Sequence, residues 1–308
     1  MQNQTERTPA ATSSPRTPAD GPRAVQRIYP APAVHWVGDG FRVAGYFNVI
    51  PEAARRLSPF LLLDYHAPYN YPATTARRGI GPHPHRGFET VTLAWQGSVA
   101  HHDSTGGGGV IGPGDVQWMT AGAGLLHQEY HDRTYAEHGG PFQMAQLWIN
   151  LPKAHKMDPP RYQALVAGEM GIATLPDGAG SVRVIAGEYQ GAKGPAKTFT
   201  PVNLFDVRLH RGGKVEFSFA PSENVAVLIM SGDVSINGET KATTSDFVVF
   251  DNVGAHIAIE ATFDAHLLVL NGEPIDEPVV QHGPFVMNTE REIREAIADF
   301  QMGKFGRL

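Results

Sequence analysis

The chain has 308 residues, of which 42% are apolar and 18% are charged, with 25 Lys and Arg against 31 Asp and Glu. This composition is typical of a globular protein of about two domains; the sequence has neither the apolar run of roughly 18 residues that a membrane span needs nor a long basic run for nucleic acid. The absence of cysteine excludes thiolate zinc sites, iron–sulfur clusters and a cysteine nucleophile, so any metal must be bound by His, Asp or Glu.

The N-terminal segment is rich in Thr, Pro, Ser and Ala and holds almost no large apolar side chain. Such a segment cannot bury enough surface to offset its ordering entropy, so we predict a disordered tail over residues 1–27. The tail lacks the apolar core of a secretory signal, and we expect a cytoplasmic protein.

Short strand-like runs separated by Gly and Pro turns begin at residue 28. Gly38–Gly40 separates two such runs and predicts a hairpin, and residues 89–95 alternate as a half-buried strand does. The two strands of the predicted hairpin are 34–37 and 41–47. Further strands are predicted at 116–119 and 144–151.

A connector is predicted from about residue 152 to 167, followed by a second set of short strands that runs to about residue 270. The order of turns and strands in this set resembles that of the first half, which predicts two copies of one β-barrel. The end of the chain predicts a helix, because Thr289 and Glu292 form a capping box and Gly303 provides a stop. Its apolar positions follow helical spacing: Ile293, Ala296, Ile297 and Phe300.

Histidines concentrate in one region, where nine of the 14 lie between His66 and His155. Side chains two residues apart on an extended strand point to the same side, so His83 and His85 share a face, as do His127 and Glu129. Two such pairs on neighbouring barrel strands can converge and supply three imidazoles and one carboxylate. That ligand set suits Fe, Mn, Ni, Cu or Zn.

Other histidines and glycines have simpler interpretations. A single His-x-His is more often a surface or turn pair, and it is the presence of two same-face pairs that favours a metal site. The adjacent His101 and His102 face opposite sides of a strand, so at most one borders the pocket. Gly106–Gly109 lacks the Lys-Ser/Thr of a phosphate loop and favours a hairpin loop. Three isolated histidines in the second half predict a barrel without metal: His210, His256 and His266.

Three runs of sequence resemble the cupins and, more narrowly, the pirin family: HPHRGFETV at 83–91, PGDVQWMTAGAGLLHQE at 113–129 and QHGPFVMNT at 281–289. The resemblance extends from about residue 59 to residue 300. It implies an all-β fold of two cupin-type β-barrels (a bicupin) with a C-terminal helix. The implied division is an N-terminal metal-binding barrel over 28–157, a metal-free barrel over 158–272, and a return segment with the helix over 273–308.

The pirin-like positions imply a site for one divalent transition metal, Fe(II) first, with Mn, Ni, Cu or Zn as alternatives. Its ligands would be His83, His85, His127 and Glu129. The general cupin pattern would instead use Glu89, but Arg86-Gly87 is expected to bend the chain between it and His85. We therefore prefer Glu129 and expect Glu89 to be a supporting or strand-surface carboxylate.

Two functions are compatible with this resemblance, since some pirins oxidise the flavonol quercetin with dioxygen and others act as regulatory partners. The first hypothesis is a metal-dependent dioxygenase that cleaves quercetin-type flavonols. Its substrates would be a flavonol-like aromatic molecule and dioxygen, and Glu129 would be both metal ligand and catalytic base. The alternative is a metal-binding regulatory or interaction protein without physiological catalysis, whose protein partner the sequence does not identify. Both hypotheses require the same metal ligands, so the motif alone does not separate them.

Overall fold

A computed structural model describes residues 21–308, which form 26 β-strands, three α-helices and four short 3-10 helices. The strands of the first half are β1 (Val25–Tyr29), β2 (Val34–Val37), β3 (Phe41–Gly45), β4 (Phe60–Tyr71), β5 (Gly79–His85), β6 (Phe88–Gln96), β7 (Val99–Asp103), β8 (Gly108–Ile111), β9 (Val116–Thr120), β10 (Leu125–His131), β11 (Gly140–Asn150) and β12 (Arg161–Leu165).

The strands of the second half are β13 (Gly171–Thr174), β14 (Gly180–Ala186), β15 (Glu188–Tyr189), β16 (Ala192–Lys193), β17 (Val202–Leu209), β18 (Lys214–Ser218), β19 (Asn224–Ser231), β20 (Asp233–Ile236), β21 (Thr240–Thr243), β22 (Phe247–Phe250), β23 (His256–Ala261), β24 (Ala265–Gly272), β25 (Val280–His282) and β26 (Phe285–Met287). The α-helices are α1 (Ala53–Arg56), α2 (Arg133–His138) and α3 (Glu290–Gln301), and the 3-10 helices are Tyr46–Val49, Lys153–His155, Ala167–Glu169 and Pro176–Gly178.

The two halves repeat one architecture, as predicted. A seven-stranded sheet (β12-β9-β6-β11-β4-β3-β2) faces a four-stranded sheet (β5-β10-β7-β8) in the first barrel. The second barrel has a seven-stranded sheet (β1-β22-β19-β24-β17-β14-β13) and a four-stranded sheet (β18-β23-β20-β21). The fold is therefore an all-β bicupin with a C-terminal helix.

The two seven-stranded sheets pack against each other. One apolar cluster contains Leu63 and Leu147 from the first sheet together with Leu204 and Leu268 from the second. Because the strand period is two, the residues of β6 alternate between this interface, which buries Val91, and the lumen of the first barrel. The lumen-facing residues of the large sheet are therefore held on a rigid, fully covered layer.

The predicted disordered tail is wrong at its C-terminal end, and its first 20 residues lie outside the described residues. Strand β1 pairs with the edge strand β22 of the second barrel. The Arg23 side chain is fully buried. Its guanidinium donates hydrogen bonds to the backbone carbonyls of Gly254, Glu223 and Ala220. A segment poor in apolar residues is thus held by ladder and guanidinium hydrogen bonds, which composition alone does not reveal.

Other boundaries also differ from the sequence prediction. The connector contains β12, which pairs with β9 and extends the first barrel's sheet to Leu165, beyond the predicted boundary at residue 157. Strand β3 ends at Gly45 rather than at residue 47, because a 3-10 helix follows. Strand β11 begins at Gly140, four residues before the predicted start.

The C-terminal helix confirms its predicted cap. Thr289 accepts a hydrogen bond from the Glu292 backbone N–H, and Glu292 accepts one from the backbone N–H of Asn288. The segment before the helix returns to the first barrel, where Phe285 forms a bridge with Arg86. Among the helices of residues 21–308, none is both long enough and apolar enough to cross a membrane.

Candidate metal centre

Strands β5 and β10 bring three histidines together in the first barrel. The two strands are antiparallel, with His127 opposite His83. The ring centroid of His83 lies 4.7 Å from that of His85 and 5.3 Å from that of His127. One nitrogen of each ring lies within 4.8 Å of a nitrogen of the other two. Within the described residues, this is the one group of three His, Asp or Glu side chains close enough to hold an ion.

Burial favours the neutral form of two of these imidazoles, the form that binds a metal. Burial, together with the neighbouring imidazoles, lowers the pKa of His85 and His127 well below the ordinary value of 6.5. The ring of His83 is oriented by a 2.8 Å contact between its Nδ1 and the Gly81 carbonyl oxygen. This contact leaves Nε2 as the nitrogen of His83 that is available to a metal.

Unpartnered polar atoms show that the lumen is suited to a bound group. Buried polar atoms are normally hydrogen-bonded, so each exception needs an explanation. No described residue is a partner for Nδ1 of His85, Nδ1 of His127 or Oε1 of Gln117. The three residues are neighbours, because the rings of His85 and His127 lie 5.7 Å apart and Gln117 Nε2 lies 3.4 Å from His127 Nε2. Neutral imidazole nitrogens without partners fit a divalent transition metal and the small molecules around it.

Glu129 is buried two residues beyond His127 but does not belong to the three-histidine group. Its Oε1 accepts a hydrogen bond of 3.2 Å from Thr92, and its Oε2 accepts one of 2.8 Å from Gln146. The pairing of β10 with β5 shifts register between His127 and Glu129. The same-face rule therefore holds along β10 but does not by itself align Glu129 with the histidines of β5. The role of Glu129 as a ligand stays a prediction.

Glu89, the alternative carboxylate, is held elsewhere. It accepts a 2.7 Å hydrogen bond from Thr120, and Arg161 lies 4.0 Å away. It stands on the same face of β6 as Val91, which packs into the interface between the barrels. Burial raises its pKa to about 7. The structure thus places Glu89 outside the three-histidine group.

One member of the adjacent histidine pair borders the site. This agrees with the sequence prediction that at most one of the two would do so. His101 is fully buried, with its ring centroid 5.7 Å from that of His127, while His102 is exposed. The sequence analysis did not identify the lumen residues Thr92, Gln117 and Gln146. The sequence signal that could have identified them is the alternation of polar residues along β6, β9 and β11. In the structure these strands pair so that Thr92 lies opposite both Gln117 and Gln146.

An aromatic wall adjoins the histidines. The ring centroids of Phe88 and Trp148 lie 4.3 Å apart with the ring planes tilted by 34°, and the ring of Trp148 lies 5.6 Å from that of His85. Trp148 is partly exposed, and its indole N–H has no acceptor among residues 21–308. Trp148, backed by the fully buried Phe88, thus adds an aromatic surface and an unpartnered donor near His85.

A buried lysine ties the C-terminal segment to the turn after His85. Lys156 Nζ donates hydrogen bonds to the carbonyl oxygens of Gly87 and Val286 and to Asn150 Oδ1, at 2.6 to 2.9 Å. Burial lowers the pKa of Lys156 to about 7. The return segment is thus fixed against the turn that follows the first histidine pair.

The isolated histidines of the second barrel have separate environments. His210 and His256 are exposed. His266 is buried and contacts Asp206 Oδ1 at 2.5 Å. The lumen of this barrel is filled by an apolar cluster that includes Phe205 and Phe217.

Comparisons with known proteins agree with this architecture. The family model described as Pirin matches residues 40–149, and the model of the Pirin C-terminal cupin domain matches residues 204–306. A Pseudomonas aeruginosa protein that bears quercetin 2,3-dioxygenase as a provisional name is 47% identical over 92% of this chain and 98% of its own length. A pirin-like protein of Caulobacter vibrioides is 39% identical over 87% of this chain and 94% of its own. The crystal structure of a quercetin 2,3-dioxygenase from Acinetobacter baumannii, 47% identical, covers 93% of this chain and 99% of its own with a TM-score of 0.89.

Proposed function

The chain belongs to the pirin family, and on that premise we propose that it is a metal-dependent dioxygenase that cleaves the ring of quercetin-type flavonols. The observation that carries the proposal is the group of three buried or half-buried histidines whose ligand atoms lie within 4.8 Å of one another. The similarity to proteins named for this activity supports the reaction class.

The proposed ligands of the metal are His83, His85, His127 and Glu129. Glu129 would add the negative charge that three neutral imidazoles lack, and the hydrogen bonds from Thr92 and Gln146 would orient its carboxylate. When bound, a divalent transition metal, Fe(II) first, supplies a Lewis acid for substrate oxygen and a redox centre for dioxygen. Mn, Ni, Cu and Zn suit the same donor atoms.

The chain's own residues would then perform three tasks. Trp148, backed by the buried Phe88, offers an aromatic surface against which a ring system can pack. Glu129 would take the proton of the flavonol 3-hydroxyl as a general base. Its buried carboxylate lies two residues beyond His127 on β10. The covered barrel would keep bulk water from the activated ring.

Oxygen uptake tests the proposal. Protein loaded with Fe(II) is expected to consume dioxygen when quercetin is added, and not when luteolin, which lacks the 3-hydroxyl, is added instead. A protein that binds the metal but consumes no dioxygen with quercetin would contradict the proposal. That result would favour the alternative, a metal-binding regulatory or interaction protein.

A further inference from the structure

His101 is a fully buried imidazole with no hydrogen bond. Neither Nδ1 nor Nε2 has a partner within residues 21–308. Leaving a buried polar group unpaired is unfavourable, and a neutral imidazole has both a donor and an acceptor to satisfy. A side chain in this state is suited to a partner that enters the lumen.

The position of His101 directs it at the metal centre. It stands opposite Glu129 in the ladder between β7 and β10, so the two side chains share the lumen face. Its ring centroid lies 5.7 Å from that of His127, yet its nitrogens are not part of the three-histidine group. His101 is therefore next to the ligands without being one of them.

The orientation of the His101 ring is fixed from behind. The ring of Tyr162 lies 4.7 Å from it at an interplanar angle of 36°, and Tyr162 stands on β12 at the edge of the large sheet. Gln117 Oε1 is a second buried atom without a partner in this part of the lumen, and Gln117 Nε2 lies 3.4 Å from His127 Nε2. Two polar side chains with unpartnered atoms thus lie next to His127, and neither satisfies the other.

We propose that His101 is a positioning residue that hydrogen-bonds a small oxygen- or nitrogen-bearing molecule held beside the three-histidine group. The inference rests on the proposed function only in requiring a metal at His83, His85 and His127. In the dioxygenase reaction, this contact would orient the reacting small molecule relative to the flavonol.

Azide is the probe that tests this role without a flavonol. Full-length protein is loaded with Co(II), its visible spectrum is recorded, and azide is titrated into the wild type, His101→Leu, His101→Phe and His101→Gln. The exposed neighbour provides the matched control, His102→Leu. All variants are expected to retain the metal and the azide-free spectrum, because His101 is not a ligand.

The azide dissociation constant is expected to rise at least roughly tenfold in His101→Leu and His101→Phe, since a hydrogen bond to a charged acceptor is lost. His101→Gln, which retains an N–H donor, is expected to recover part of that loss, and His102→Leu to match the wild type. If one of the two apolar variants does not fold, the other decides.

Two results would overturn the inference while the proposed metal centre stands. One is an unchanged azide affinity in a folded, metal-loaded His101→Leu or His101→Phe. The other is loss of cobalt from every His101 variant, which would make His101 a ligand. A wild-type protein that binds no cobalt would overturn the metal centre and this inference together.

Discussion

Gln146 Nε2 donates a hydrogen bond of 2.8 Å to Glu129 Oε2 and so joins strand β11 of the large sheet to strand β10 of the small sheet across the lumen. A carboxylate held from both oxygens by neutral donors keeps a fixed orientation. The chemistry proposed for Glu129 depends on this fixed position.

Replacing Glu129 with Gln is therefore expected to remove the base while keeping the shape of the side chain. We expect quercetin-dependent oxygen uptake to fall by about 10²-fold or more, with partial retention of metal, because positioned bases contribute about 10²–10⁴-fold. Oxygen uptake and metal content are measured on the same sample. Glu89→Gln, which changes a buried carboxylate outside the three-histidine group, is the control, and turnover in Glu129→Gln equal to that of the wild type would remove the base role.

The buried carboxyl of Glu89 is expected to make the stability of the folded chain depend on pH. Burial raises its pKa from the ordinary 4.5 to about 7, so the folded chain binds more protons than the unfolded chain between these values. Its contribution to the free energy of unfolding is therefore full below pH 4.5 and is lost as the pH rises through 7. In metal-free protein, Glu89→Gln is expected to be more stable than the wild type at pH 8, by up to about 3 kcal/mol, and to lose this advantage near pH 4.5.

Denaturant unfolding at several pH values checks this expectation. The exposed Glu239→Gln serves as the control and is expected to follow the wild type throughout. A Glu89→Gln variant that is less stable than the wild type at pH 8 would contradict it.

Asp206 is predicted to hold the two barrels together. It accepts hydrogen bonds from Arg183 and His266 of its own barrel and a 2.9 Å bond from Trp95 Nε1 of the first barrel. Burial alone would raise the pKa of Asp206, but these partners outweigh it and hold the pKa well below its usual range. Its contribution to stability is thus present at neutral pH and lost only in strong acid.

Asp206→Ala is expected to destabilise the chain by about 3 kcal/mol at pH 7, because it leaves the largely buried Arg183 guanidinium without its carboxylate partner and the Trp95 indole without its acceptor. Chemical denaturation monitored by tryptophan fluorescence measures this loss. Asp177→Asn, an exposed turn residue, is expected to change nothing. Equal stability of Asp206→Ala and the wild type would show that the barrels do not depend on this contact.

Much of the fold was predictable because local patterns coincide with it. The His83–His85 pair, the Gly38–Gly40 turn and the Thr289 cap each depend on residues close in sequence, and each appears in the structure. The position of Glu129 relative to β5 was not predictable, since the register shift between His127 and Glu129 arises from pairing with a distant strand. Order at Arg23 likewise depends on carbonyls some 200 residues away.

The central claim is that His83, His85 and His127 share one ion, and the metal content of protein purified without added metal tests it most directly. We predict about one equivalent of transition metal per chain in the wild type and in His102→Ala, and loss of nearly all of it in His83→Ala and His127→Ala, because removing a ligand lowers affinity far more than changing its surroundings. A wild-type chain without metal, or full metal retention in His83→Ala and His127→Ala, would contradict the account.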